Sequence, residues 1–131
     1  MKNACFILLI CPIIAFGQRK ASTVILNNDK QTKISYQITD CEKGTNLPNK
    51  YAVFSFENKT SGDIQVSFKY EIYFKGQKIA RDPATLRATI KLNSRQKVTG
   101  SCSNGTDGLA LFLSDTGETD FKIKITEINV I

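Results

Sequence analysis

The 131-residue sequence has no histidine and no tryptophan, and only three prolines and one methionine. The missing histidine excludes most. It removes imidazole metal ligands, Ser-His-Asp and Cys-His nucleophile activation, and the usual proton shuttle at neutral pH. The four cysteines form no Cys-x-x-Cys motif. No glycine-rich stretch ends in Gly-Lys-Ser, so a phosphate loop of that kind is absent. The longest apolar run, from Ala4 to Phe16, is about 13 residues, short of the roughly 20 that cross a bilayer. No internal repeat, low-complexity tract or linker interrupts the chain. With 41% hydrophobic and 23% charged residues, the composition is that of an ordinary globular chain of one domain.

What is present begins with an address. Lys2 precedes the apolar run, and Ala15-Phe16-Gly17 places small residues two apart, as signal-peptidase sites do. Residues 1–17 are therefore expected to be a signal peptide, and residues 18–131 a β-sandwich domain. Cys11 follows Ile10, where a lipidation signal would place a small residue, so cleavage after Gly17 is favoured. The mature chain is expected to be exported, periplasmic or secreted, with no membrane span. Loss of Lys2 leaves 17 cationic residues against 12 acidic ones, a net charge of +5.

Cys5 and Cys11 leave with the signal. Cys41 and Cys102 remain, and in an oxidising compartment they are expected to form a disulfide. Closing a loop of about 60 residues contributes on the order of 4 kcal/mol. A reactive thiol is the weaker alternative, since no His exists to activate one.

Period-two alternation dominates the mature chain. Ile64, Val66, Phe68, Tyr70, Ile72 and Phe74 face one way, and Gln65, Ser67, Lys69, Glu71 and Tyr73 the other. That predicts a long antiparallel strand with one buried and one wet face. Tyr51 to Glu57 alternates similarly. The turn cluster Asn58 to Asp63 predicts a hairpin joining the two. Further strands are expected at Thr23–Leu26, Lys33–Thr39, Arg87–Leu92, Lys97–Ser101, Leu109–Leu113 and Phe121–Val130. Leu109–Leu113 is apolar on both faces and reads as a central strand. A phase slip at Thr126-Glu127 predicts a β-bulge. Seven or eight strands in this length predict an all-β, single antiparallel β-sandwich, with a closed barrel as the alternative. Phe54, Phe56, Val66, Phe68, Tyr70, Ile72, Leu111, Ile123 and Ile125 are the expected core.

Several segments resemble a loose group of small exported proteins of uncharacterised function, common in Bacteroidetes-type bacteria. They are Phe54-Ser55-Phe56-Glu57-Asn58-Lys59-Thr60, the aromatic strand Val66 to Phe74 with Lys75-Gly76, Thr99-Gly100-Ser101-Cys102, Leu109–Leu113, and the closing Phe121-Lys122-Ile123-Lys124-Ile125. The resemblance implies an immunoglobulin-like sandwich and export, and almost nothing about activity. Such proteins often carry a Cys just after the Lys-Gly turn. Here Gln77-Lys78-Ile79 has none, and Cys41 is the candidate partner for Cys102.

Candidate chemistry is sparse. Asp115, Glu118 and Asp120 fall within six residues, as Ca²⁺ ligands can, but without EF-hand spacing; a solvated turn is the better reading. The same carboxylates sit too close on one loop to face each other as a hydrolase pair. Ser101 to Gly108 could cradle an anion through its backbone, yet reads better as a long turn beside the disulfide. Asn58-Lys59-Thr60 and Asn104-Gly105-Thr106 match the glycosylation sequon and read as turn asparagines. No enzyme activity, catalytic residue, metal or cofactor is expected.

The basic surplus is the strongest binding signal. Lys69, Arg87, Lys91, Lys122 and Lys124 fall on the polar phase of their strands and form the candidate anion-binding set. Lys75, Lys78, Arg81, Arg95 and Lys97 sit near turns. Only Tyr73 offers an aromatic ring beside the basic strands, and the chain is expected to be exported, so nucleic acid is not an expected partner. The expected function is a binding or envelope-associated structural module, with an unidentified protein partner. The alternative is recognition of an anionic glycan or lipid headgroup through the Lys/Arg face. Strand order decides whether those residues share a sheet.

Overall fold

In a computed structural model, residues 22–41, 49–102 and 109–131 are described. The proposed signal peptide, Cys5, Cys11, Asn104 and most of the Ser101–Gly108 segment lie outside them.

Among the described residues, nine strands form in chain order: β1 (Val24–Asn28), β2 (Thr32–Cys41), β3 (Asn49–Asn58), β4 (Ile64–Phe74), β5 (Gln77–Lys78), β6 (Arg87–Leu92), β7 (Lys97–Thr99), β8 (Ala110–Ser114) and β9 (Phe121–Val130). Each expected strand is present, with ends within two residues of the alternation pattern. The additional strand is β5. Lys75 and Gly76 both have positive φ, 47° and 80°, so the expected break after β4 is a two-residue hairpin turn into β5.

All pairings are antiparallel and fall in two sheets. The first runs β1-β2-β3, and β7 and β8 lie end to end along the far edge of β3. The second runs β9-β4, and β6 and β5 lie end to end along the other edge of β4. The even-numbered phases of β2, β3 and β4 point between the sheets. There Phe54 packs on Phe68 and Tyr70, with ring centroids 5.9 and 5.8 Å apart, and Phe56 packs on Phe68 at 5.5 Å. Ile34, Phe54, Phe56, Val66 and Ile72 are almost fully enclosed. The bulge in β9 falls where expected: Lys69 pairs with Glu127 and Tyr70 with Ile125, leaving Thr126 over.

Three expectations are corrected. First, β3 and β4 do not form a hairpin. They lie in opposite sheets, and the segment between them crosses the sandwich. Asn58 continues the inward phase of β3, so it is buried at 1% exposure instead of solvated. Both side-chain amide hydrogens donate, to Gly62 O and Asn93 O, and its carbonyl accepts from Thr60 N and Thr60 Oγ1. Second, among the described residues β8 pairs only with β3 and lies at a sheet edge. Its outward apolar residue, Phe112, packs edge-on against Tyr51 and is 38% exposed. The unpaired side of β8 is covered by Arg81, whose guanidinium donates to Phe112 O and Leu113 O at 2.7 and 2.8 Å. Third, Ile125 is half-buried, because it sits at the bulge; the other eight expected core residues are buried.

The Cys41–Cys102 disulfide is present, with Cα atoms 5.6 Å apart. It joins the end of β2 to the segment leaving β7.

Candidate anion-binding face

Sheet order answers whether the basic residues converge. β6, β4 and β9 are neighbours in the second sheet, and residues opposite one another across a ladder share a face. Lys69 stands between Arg87 and Glu127. Lys91 stands opposite Gln65, Lys124 opposite Glu71, and Lys122 opposite Tyr73. All five expected residues therefore lie on the outer face of this sheet.

Sequence reasoning placed Lys78 only near a turn. It pairs with Tyr73 and joins the same face. A two-residue strand is too short to carry a period, so nothing in the sequence assigned Lys78 a side. Six cationic residues thus share the face with two carboxylates, Glu71 and Glu127. The outer face of the first sheet is closer to balance: Lys33, Glu57 and Lys97 stand in one row across β2, β3 and β7.

The two carboxylates are engaged. Glu71 accepts from the Tyr73 hydroxyl at 2.6 Å and from Lys78 Nζ at 2.9 Å. The Tyr73 hydrogen bond, then Lys78, holds its carboxyl below the usual range, and Glu71 in turn raises the pKa values of Tyr73 and Lys78. Glu127 meets Lys69 at 2.8 Å, both side chains being more than half exposed. Such exposed pairs contribute only about 0–1 kcal/mol, so either lysine can exchange its partner. Among the described residues, no carboxylate bridges Arg87, Lys91 or Lys122.

A cleft opens on this face where β5 stops at Lys78 and β6 starts at Arg87. Its volume is about 570 Å³. The intervening chain swings away from β4 through a single 3₁₀ turn, Pro83–Thr85, whose start is capped by Asp82. Four contacts fix that excursion. Ile79 N donates to Ile72 O, Tyr70 N to Leu86 O, the Tyr70 hydroxyl to Thr85 O, and Arg81 to β8. Burial pushes the Tyr70 hydroxyl pKa up to about 12, so it stays a donor throughout the neutral range.

The other candidates gather less. Asp115, Glu118 and Asp120 are exposed. Among the described residues, no three acidic or cysteine side chains are placed to hold a metal ion. Asn58, with all four amide hydrogen bonds used inside the fold, is a structural asparagine.

No protein-family model matches the chain, and no curated protein matches it. Among solved structures, the chain is similar to the crystal structure of a DUF1425 family member from Shewanella sp. pv-4. The identity is 14%, over 82% of this chain and 90% of that one, with a TM-score of 0.49. A likeness at that level carries no argument about function.

Proposed function

We propose that this protein is an exported, non-catalytic binding module that recognises an anionic ligand through the outer face of its second sheet. The observation that carries this is the gathering of Lys69, Lys78, Arg87, Lys91, Lys122 and Lys124 on one face with only two carboxylates. Export is supported by the disulfide, which belongs to oxidising compartments, and by the apolar run after Lys2. A non-catalytic role is supported by the lack of His in the sequence and by the engagement of both carboxylates on the face.

The test is binding to an anionic glycan and to vesicles containing an anionic lipid, across a salt series. Binding is expected to weaken steeply from 0.01 to 0.15 M salt, as the Debye length falls from about 30 to about 8 Å. Reversing Lys122 and Lys124 to Glu is expected to weaken it more than reversing Lys30 and Lys97, which lie elsewhere. Salt-insensitive binding, or equal losses from both pairs, would refute the face.

A further inference from the structure

The basic face is not uniform. At about 3.4 Å per residue, Lys91 and Lys122 stand about 27 Å apart along the strands, more than three Debye lengths at physiological salt. The charge concentrates at the middle row. There Arg87 and Lys69 are direct cross-strand partners, where like charges are unfavourable. Lys69 has Glu127 on its other side; Arg87 has no carboxylate partner among the described residues. Both residues, together with Lys78 and Arg81, line the cleft between β5 and β6, and Glu71 is the carboxylate in that lining. A conflict of this kind, set at the mouth of a preformed cleft, marks a site more than a scaffold.

We propose that this cleft is a binding site for a phosphate monoester group, with Arg87 as its principal anchor and Lys69 and Lys78 closing on the same group. This rests on the face being the ligand surface and deepens that reading. The charge argues for the class. Four cations against Glu71 in the lining and Glu127 on Lys69 leave a surplus of two, more than a single ligand carboxylate neutralises, whereas a phosphate monoester carries about −1.5 to −2 at pH 7. The guanidinium fork of Arg87 suits two phosphate oxygens, and the lysines supply point charges beside it. Arg81 is committed to the carbonyls of β8 and contributes field, not contact. Ile79, Pro83 and Leu86 give the cleft an apolar wall for the body that carries the phosphate. The four contacts holding the excursion mean that little ordering is left for the ligand to drive.

The experiment uses the disulfide-bonded mature protein and calorimetric titration with inorganic phosphate, glucose 6-phosphate and vesicles containing phosphatidic acid. Acetate is the comparison anion. The phosphates are expected to bind more tightly than acetate, which brings a single charge. Arg87→Ala is expected to weaken them about tenfold or more, since one charged hydrogen-bonding partner is worth about 1.5–3 kcal/mol. The exchange Lys69→Glu with Glu127→Lys keeps the net charge but gives Arg87 a carboxylate neighbour; it is expected to weaken phosphate similarly while the thermal midpoint holds. Lys30→Glu with Lys97→Glu, on residues outside this face, is expected to change glucose 6-phosphate binding less than threefold. Equal affinity for glucose 6-phosphate and vesicles supports the site with a soluble phosphate ester as its source; tighter binding to vesicles supports it with a lipid headgroup. Arg87→Ala without effect, or phosphate no better than acetate, overturns the site. If anionic glycan binding then still falls on reversing Lys122 and Lys124, the face stands and only the cleft is lost. If that also is unaffected, both fail.

Discussion

Replacing Asn58 tests the crossing between the sheets at its most constrained point. The amide makes four hydrogen bonds of 2.8 to 2.9 Å at 1% exposure. One of them reaches Asn93, in the return crossing from β6 to β7, so a single side chain ties both crossings at this end of the sandwich. In Asn58→Ala, Thr60 Oγ1 keeps a partner in Gly62 O, and Gly62 and Asn93 are exposed enough to take water. The loss is therefore nearer the net value of about 1 kcal/mol per bond than the full cost of orphaned groups. Three bonds exchanged for water at that net value give about 3 kcal/mol. An unfolding entropy near 2.1 cal/mol/K per residue, over the 97 described residues, converts that to a fall of about 15 °C in the thermal midpoint. Asn58→Asp has the same shape but turns an acceptor toward two carbonyls. It is expected to cost at least as much at pH 7 and to recover as pH falls through its raised pKa, when the carboxyl regains a donor. Urea denaturation and calorimetry across pH 4 to 8 measure both. A loss below about 1 kcal/mol for Asn58→Ala, or Asn58→Asp as stable as the native chain at pH 7, would show that the crossing is not held by this amide.

Reducing the Cys41–Cys102 bond, or replacing both cysteines by Ser, is expected to cost on the order of 4 kcal/mol, given the sequence separation of 61; equal urea midpoints with and without reductant would contradict it. Gly100→Ala is expected to destabilise by about 1–3 kcal/mol, because a Cβ there would lie 2.3 Å from the backbone oxygen of Leu109, where β7 hands over to β8 along β3; an unchanged midpoint would show that the two strands can part freely. Stability in alkali is expected to decline between pH 10 and about 12. Tyr70, raised by burial, contributes stability that is present below pH 10 and lost as pH rises through its folded value. Tyr70→Phe should flatten that decline, and an unchanged slope would remove Tyr70 as its cause. In acid the sign is opposite for Glu71. Its lowered pKa gives stability present above the usual glutamate range and lost as pH falls through the folded value; Glu71→Gln should remove that part of the acid response.

Strands were legible because alternation survives any pairing. The even phase of β4 is buried whichever neighbour it has, and that alone placed Val66, Phe68, Tyr70 and Ile72 in the core. Pairing was not legible for β3 and β4. A hairpin and a sheet-to-sheet crossing both reverse the chain through five residues and both keep Phe56 and Phe68 inward. Only the position of Asn58 on the inward phase distinguishes them, and an asparagine before Lys-Thr-Ser-Gly ordinarily reads as solvated. β8 looked central because Phe112 is apolar on its outward phase; Tyr51 and Arg81, brought from distant segments, cover it instead. The polar phase of Lys69, Arg87, Lys91, Lys122 and Lys124 was visible, but their shared sheet was not. The cleft could not be read at all, since it exists only because β5 and β6 stop short of each other along β4.

The two outer faces show which part of the charge pattern the fold requires. On the first sheet the row Lys33, Glu57, Lys97 puts its carboxylate in the centre, where it faces a lysine on each side. On the second, the row Arg87, Lys69, Glu127 has the same composition in another order, and the centre is cationic. Both rows are wet, both obey the inside–outside alternation, and either order would solubilise the sheet equally well. The second order still puts like charges side by side across a ladder, at a cost of up to about 1 kcal/mol. Solvation and edge protection, which ask only for charge somewhere on the strand, do not select it. An anion seated between Arg87 and Lys69 does, because it turns the repulsive contact into two attractive ones. The order of three residues in one row, more than the net charge of the chain, is therefore what argues that this face receives a ligand.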